Sequence, residues 1–184
     1  MSVADKKMPR PKIQGKSRSK LMLYVLMVIV LLCGAALAYD VFGADEEDEY
    51  KSGLPVEKVV VMKQDGGKQV FKLEIAAKPI DIQIGLMHRK SMPPNHGMMF
   101  QMGKTPRHVS FWMKNTLIPL DMLFVAADGS IINIHHNATP LSLTGIPSQG
   151  PITAVIELNG GRAEETGIRI GDRVLHPYFG TAEE

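Results

Sequence analysis

Nineteen consecutive residues without a charge, Leu21–Tyr39, follow directly on a leader that holds seven Lys or Arg against one acid, Asp5. At about 1.5 Å per residue, a helix of that length approaches the ~30 Å hydrocarbon core of a bilayer. Basic residues before such a segment stay on the cytoplasmic side, so everything after it is expected outside the cytoplasm, in the periplasm or beyond. Two fates are open. Ala36-Leu37-Ala38 reads as a small-residue cleavage site, which would make the run a signal peptide; the long basic leader and the span length favour an uncleaved anchor. The chain's single cysteine, Cys33, lies within this run, so the remainder has no disulfide and no thiolate to act as nucleophile or ligand. It must fold on its core alone.

Charge divides the chain further. Residues 1–20 form a basic cytoplasmic leader of charge +6, 21–39 the signal or anchor helix, 40–55 an acidic linker and 56–184 an exported globular domain. Because the whole chain carries +2, the part beyond the leader sums to −4. A cationic surplus confined to the leader argues against nucleic acid as a partner. The membrane, reached through 21–39 if uncleaved, and an unknown envelope ligand are the partners implied.

Within the domain, Val56–Lys63 and Lys68–Ala76 are predicted strands joined by the hairpin signal Gln64-Asp65-Gly66-Gly67. Pro79 opens a short predicted helix, and Pro93-Pro94 force a loop before a strand at Gly97. Val109–Met113, Leu120–Ala126, Ser130–His136 and Ile152–Leu158 are further strands, with Ala127-Asp128-Gly129 as the strongest turn signal. Arg162–Thr166 predicts a short helix stopped by Gly167, and Ile168–Ile170 with Arg173–His176 a last hairpin across Gly171-Asp172. The fold class expected is α+β and predominantly β. It would be a compact, mostly antiparallel sheet or partly closed barrel with short helices, preceded by one hydrophobic N-terminal helix.

Gly85-Leu86-Met87-His88-Arg89, Gly97-Met98-Met99-Phe100, Phe111-Trp112-Met113-Lys114-Asn115-Thr116 with Pro119-Leu120-Asp121, Glu157-Leu158 and Gly171-Asp172 occur in this order. In these blocks, spread over Leu73 to Pro177, the chain resembles the uncharacterised family called domain of unknown function 192. The resemblance implies an exported or membrane-tethered α+β domain of prokaryotes. It implies no activity.

Polar groups wedged among apolar strands mark the candidate site. Strand alternation places Trp112 on the side of Ser110 and Lys114, where an indole beside an ammonium and the Asn115 amide could stack on a ligand and hydrogen-bond its rim. The alternative is that Trp112 roofs the core and donates its N–H to a carbonyl. Asp121 is expected near the Lys114–Thr116 turn, pairing with Lys114 or accepting that turn's backbone N–H groups. Glu157 is the other carboxylate entering a buried strand. Together Asp121 and Glu157 are the weak catalytic candidates of a carboxylate-dependent hydrolase, or else a pair bound to Arg89 or Arg107. With no Gly-x-Ser-x-Gly and no exported cysteine, nucleophilic catalysis has no carrier.

Met87, His88, Met92, His96, Met98, Met99 and Met102 fall within sixteen residues. Thioethers and imidazoles suit Cu(I), which makes Met87, His88, His96, Met98 and Met99 weak metal candidates; methionines also commonly fill core gaps. No cofactor signature occurs. The leading expectation is a noncatalytic, envelope-facing binding or accessory domain that recognises a small molecule, glycan or peptide through Trp112, Lys114, Asn115, Asp121 and Glu157. The hydrolase and the copper-handling protein are the alternatives.

Overall fold

The computed structural model describes residues 52–181. The basic leader, the hydrophobic run expected to be a signal or anchor helix and the acidic stretch up to residue 51 lie outside the described residues. Among the described residues no helix is long and apolar enough to cross a membrane.

β1 (Val56–Met62) and β2 (Lys68–Ala76) form the expected hairpin, in register Val60↔Val70, with Gly66 at φ 86° supplying the turn. Alternation along β2 buries Phe71, Leu73 and Ile75 and exposes Lys72. Pro79 starts α1 (Pro79–Ile84), whose crossover delivers β3 (His96–Gln101) parallel to β2. β4 (Ser110–Phe111) is shorter than the Val109–Met113 strand expected, because it pairs only with the two residues of β7 (Ile146–Pro147). β5 (Leu120–Val125) and β6 (Ile131–Ala138) flank the Asp128-Gly129 turn, and β8 (Ala154–Asn159) leads to α2 (Arg162–Glu165).

The last expected hairpin does not form. Ile168–Ile170 has no strand conformation, and β9 (Arg173–Leu175) pairs instead with β1, with Leu175 opposite Val60, 115 residues earlier, a register that no local signal carries. Asp172 explains the difference. Its buried carboxylate accepts the backbone N–H of Gln64 at 3.0 Å and of Arg169 at 2.7 Å, pinning the segment to the β1–β2 turn. Asp172→Ala is expected to cost about 2 kcal/mol in a urea titration, the penalty for stranding two donors; an unchanged midpoint would show that water replaces the carboxylate.

Seven strands run in the order β6-β5-β8-β3-β2-β1-β9, all neighbours antiparallel except β2 and β3. The sheet curls into a half-barrel. Its outer strands approach at one end, where Ser130 bridges Arg173 and Ile131 donates to Asp172 O at 2.9 Å. Side chains of all seven strands, among them Val59, Phe71, Met99, Leu123, Ile131, Ile156 and Val174, fill the inner face. A second apolar layer on the outer face gathers Met98, Phe100, Met122, Phe124 and Val155 beneath α1 and the β4–β7 ribbon. The architecture is mostly β, as expected, but with a core on both faces of one sheet. That second face carries the site.

Candidate functional site

Register assembles one row across the outer face. Met122 of β5 lies opposite Glu157 of β8, which lies opposite Met98 of β3, itself opposite Glu74 of β2. At Gly97 the strands pass so closely that a Cβ would stand 2.2 Å from the Glu157 carbonyl oxygen, so only glycine lets β3 and β8 pair here. Above the row, Arg89 grips Glu74 in a two-pronged contact of 2.5 and 2.7 Å, with Ser52 as a further donor to the same carboxylate. Burial pushes the Glu74 carboxyl up, but the Arg89 and Ser52 hydrogen bonds outweigh it and hold the group below the ordinary glutamate value.

Glu157 has a different environment. It is 4 % exposed, and its carboxyl has no hydrogen-bond partner among the described residues. Desolvation pushes it up to about 8, against a weaker downward pull from the Arg89 charge. At neutral pH it is therefore a carboxylic acid, able to donate a proton in a hydrogen bond.

That acid is at the floor of a cleft of about 300 Å3. Met87, Met102 and Phe111 contribute apolar walls, with Phe111 set edge-on against Phe100 at 5.1 Å and Phe124 at 6.4 Å. Trp112 and Lys114 stand at the mouth, the indole half exposed and the Lys114 ammonium 5.3 Å from its centroid. Trp112 does not roof the core. The two-residue β4 ends before it, and the chain turns outward through Lys114 and Asn115.

Three of the five expected binding residues, Trp112, Lys114 and Glu157, thus line one cleft. Asn115 stands beside it as a turn residue at φ 57°, a conformation asparagine tolerates, and its carbonyl accepts the His88 N–H at 2.8 Å. Asp121 is elsewhere. It alternates with Leu123 and Val125 onto the inner face, and its register partner is Leu158, not Glu157. It contacts neither Lys114 nor the Lys114–Thr116 turn; the backbone N–H groups it accepts belong to Asn137 (2.8 Å), Gly161 (3.0 Å) and Ala163 (2.8 Å).

Asp121 and Glu157 therefore point to opposite faces of the sheet and cannot share a substrate as acid and base. Nor do the weak metal candidates meet: Met98 is buried on the outer face and Met99 on the inner, while His88 is exposed and His96 begins β3. Among the described residues no three His, Cys, Asp or Glu gather as metal ligands. Of the two arginines considered as partners for the carboxylates, Arg89 acts on Glu157 through its charge, whereas Arg107 forms a backbone bridge to Ile152. Sequence reasoning missed Met102, Phe111 and the Arg89–Glu74 contact as parts of the site. The alternation of Phe111 opposite Trp112 hinted at the first wall, but nothing local announced that α1 would close the cleft.

The family profile of domain of unknown function 192, an uncharacterised ACR family, matches residues 60–176, well over half of the chain. The chain belongs to that family. Two solved structures resemble this member of the domain of unknown function 192 family. One, from Sinorhizobium meliloti 1021 and described as a candidate transcription regulator, is 42% identical, with 68% of this chain and 96% of that chain covered and a TM-score of 0.66. The other, a protein of unknown function from Novosphingobium aromaticivorans DSM 12444, is 40% identical, with 70% and 90% covered and a TM-score of 0.66. No curated protein matches the chain. Family membership leaves the function of the domain unestablished.

Proposed function

We propose that this domain is a noncatalytic binding module, held on the envelope side of the cytoplasmic membrane, that takes a small amphipathic molecule into the Trp112–Lys114–Glu157 cleft. The observation that carries the reading is Glu157. Its raised carboxyl lines the cleft without a hydrogen bond to any described residue, which leaves its proton available to a ligand oxygen. A carbonyl oxygen accepting from Glu157, an apolar body against Met87, Met102 and Phe111, and a polar or anionic end at Lys114 together describe a short peptide or an acylated small molecule. Export is supported by the basic leader and the uncharged run after it.

The regulator description given to the Sinorhizobium meliloti structure has little to rest on among the described residues. Among the described residues the longest helix has six residues and supplies no recognition helix for a major groove.

Calorimetric titration with N-acylated dipeptides tests the reading. Trp112→Ala is expected to abolish binding while changing stability by less than about 0.5 kcal/mol, because the indole is half exposed. Binding is also expected to weaken as pH rises through about 8, where Glu157 loses the proton it donates. Loss of the cooperative melt in Trp112→Ala would reassign the indole to the core, and pH-independent binding would remove Glu157 from the site.

A further inference from the structure

Around the mouth of the cleft, large apolar side chains face solvent. Trp112 and Leu117 lie on one loop, and Leu141 and Leu143, 58 % and 67 % exposed, on another. The loops are bound side by side: Leu141 donates its N–H to Thr116 O at 3.0 Å, and Met113 donates to Ser142 O at 3.0 Å. Ile84, also exposed, shares the cleft with Trp112, and Ile80 stands one turn before it on α1. Leu141 is held at φ 62°, a left-handed conformation that a leucine rarely adopts, and its side chain is nevertheless presented outward. A rim of this kind is larger than the scattered apolar residues of an ordinary surface.

Charge and chain path indicate what covers it. The rim segments 84–92, 112–118 and 139–147 contain no Asp or Glu and carry Lys90 and Lys114 exposed, with Asp81 the acid beside them between Ile80 and Ile84; residues 52–181 as a whole hold 13 Lys and Arg against 10 acids. The described chain also begins beside this rim: Ser52 and Leu54 line a crevice with Asp81, Ile84 and Gly85. Twelve residues, 40–51, separate the uncharged run Leu21–Tyr39 from Ser52. They reach at most about 40 Å, so an anchored domain is held at high local concentration over the lipid, where even a weak surface affinity suffices.

We infer that the Ile84–Trp112–Leu117–Leu141–Leu143 rim docks on the phospholipid bilayer, placing the mouth of the cleft at the lipid–water interface. An indole with leucines and lysines, in which cations outnumber the single neighbouring acid Asp81, is a composition that settles at headgroup level. The inference rests on the tethered reading proposed above.

Trp112 is the only tryptophan of the chain, so its emission reports the rim directly. The full chain is reconstituted into phosphatidylethanolamine–phosphatidylglycerol vesicles, with and without brominated acyl chains, and floated on a density gradient. The expected result is co-flotation, a blue-shifted emission and strong quenching by the brominated lipid. Leu141→Asn combined with Leu143→Ser should relieve the quenching while flotation continues, asparagine being at ease at the left-handed position. Flotation with solvent-like, unquenched emission would overturn docking and leave the tether standing. Emission that is blue-shifted yet unquenched, and rises with protein density, would assign the rim to a second copy of the chain and overturn docking. Failure to float would overturn both.

Discussion

Asp121→Ala is expected to lower the unfolding free energy by about 3–5 kcal/mol, the range for breaking a buried charged hydrogen-bond network by removing one side of it. The carboxylate is fully buried and accepts three backbone N–H groups, from Asn137 at the end of β6 and from Gly161 and Ala163 at the start of α2. Four residues do not make a helix that stands alone. Without Asp121 the three donors lose their acceptor, and α2 loses its attachment to β5. Asp121→Asn should fall between wild type and Ala, since one oxygen can still accept while its NH2 opposes the remaining donor. Urea titration followed by far-ultraviolet circular dichroism measures both. If Ala and Asn each stay within about 1 kcal/mol of wild type, Asp121 is not the brace described here.

The second large effect belongs to Glu157 and depends on pH. Its folded value, about 8, lies above the ordinary 4.5, so between these limits the folded chain keeps a proton that the unfolded chain has released. Stability linked to this group is therefore fully present below pH 4.5, declines as pH rises, and is gone above about pH 8. At about 1.4 kcal/mol per pH unit between 4.5 and about 8, the total decline is on the order of 5 kcal/mol. Glu157→Gln, uncharged throughout, should lose this slope: similar to wild type in mild acid, and several kcal/mol more stable in alkali. Urea midpoints of both proteins across that range decide it. Parallel pH profiles would mean that Glu157 is ionised in the folded domain, and the proton-donating cleft would go with it.

The two carboxylates show how far local reading reaches. Alternation along Leu120–Val125 puts Asp121 with Leu123 and Val125, which a period of two makes visible in the sequence. Whether Glu157 shares that face is set by the β5–β8 register, and a shift of one residue would have brought it opposite Asp121. Twenty-eight residues, β6 and β7 among them, separate these strands, and no turn chemistry transmits register across them. The same holds for the acceptors of Asp121, which come from 16 to 42 positions along the chain. By contrast, the β1–β2 and β5–β6 hairpins were legible because Gly66 and Gly129 supply positive φ within the turn itself.

What the amino acids determine alone are the properties that neighbours impose on neighbours: mostly β structure, two hairpins, the short helices and the block Phe111–Thr116 that marks the family. They also concentrate Trp112 and Lys114 in one turn. Only the folded sheet decided that Glu157 would rise beneath them while Asp121 turned inward, that β9 would take the edge of β1, and that the exposed leucines would gather at the cleft's mouth. Those outcomes depend on register and on contacts between distant segments, and they are selected by the burial of the two apolar faces of the sheet together.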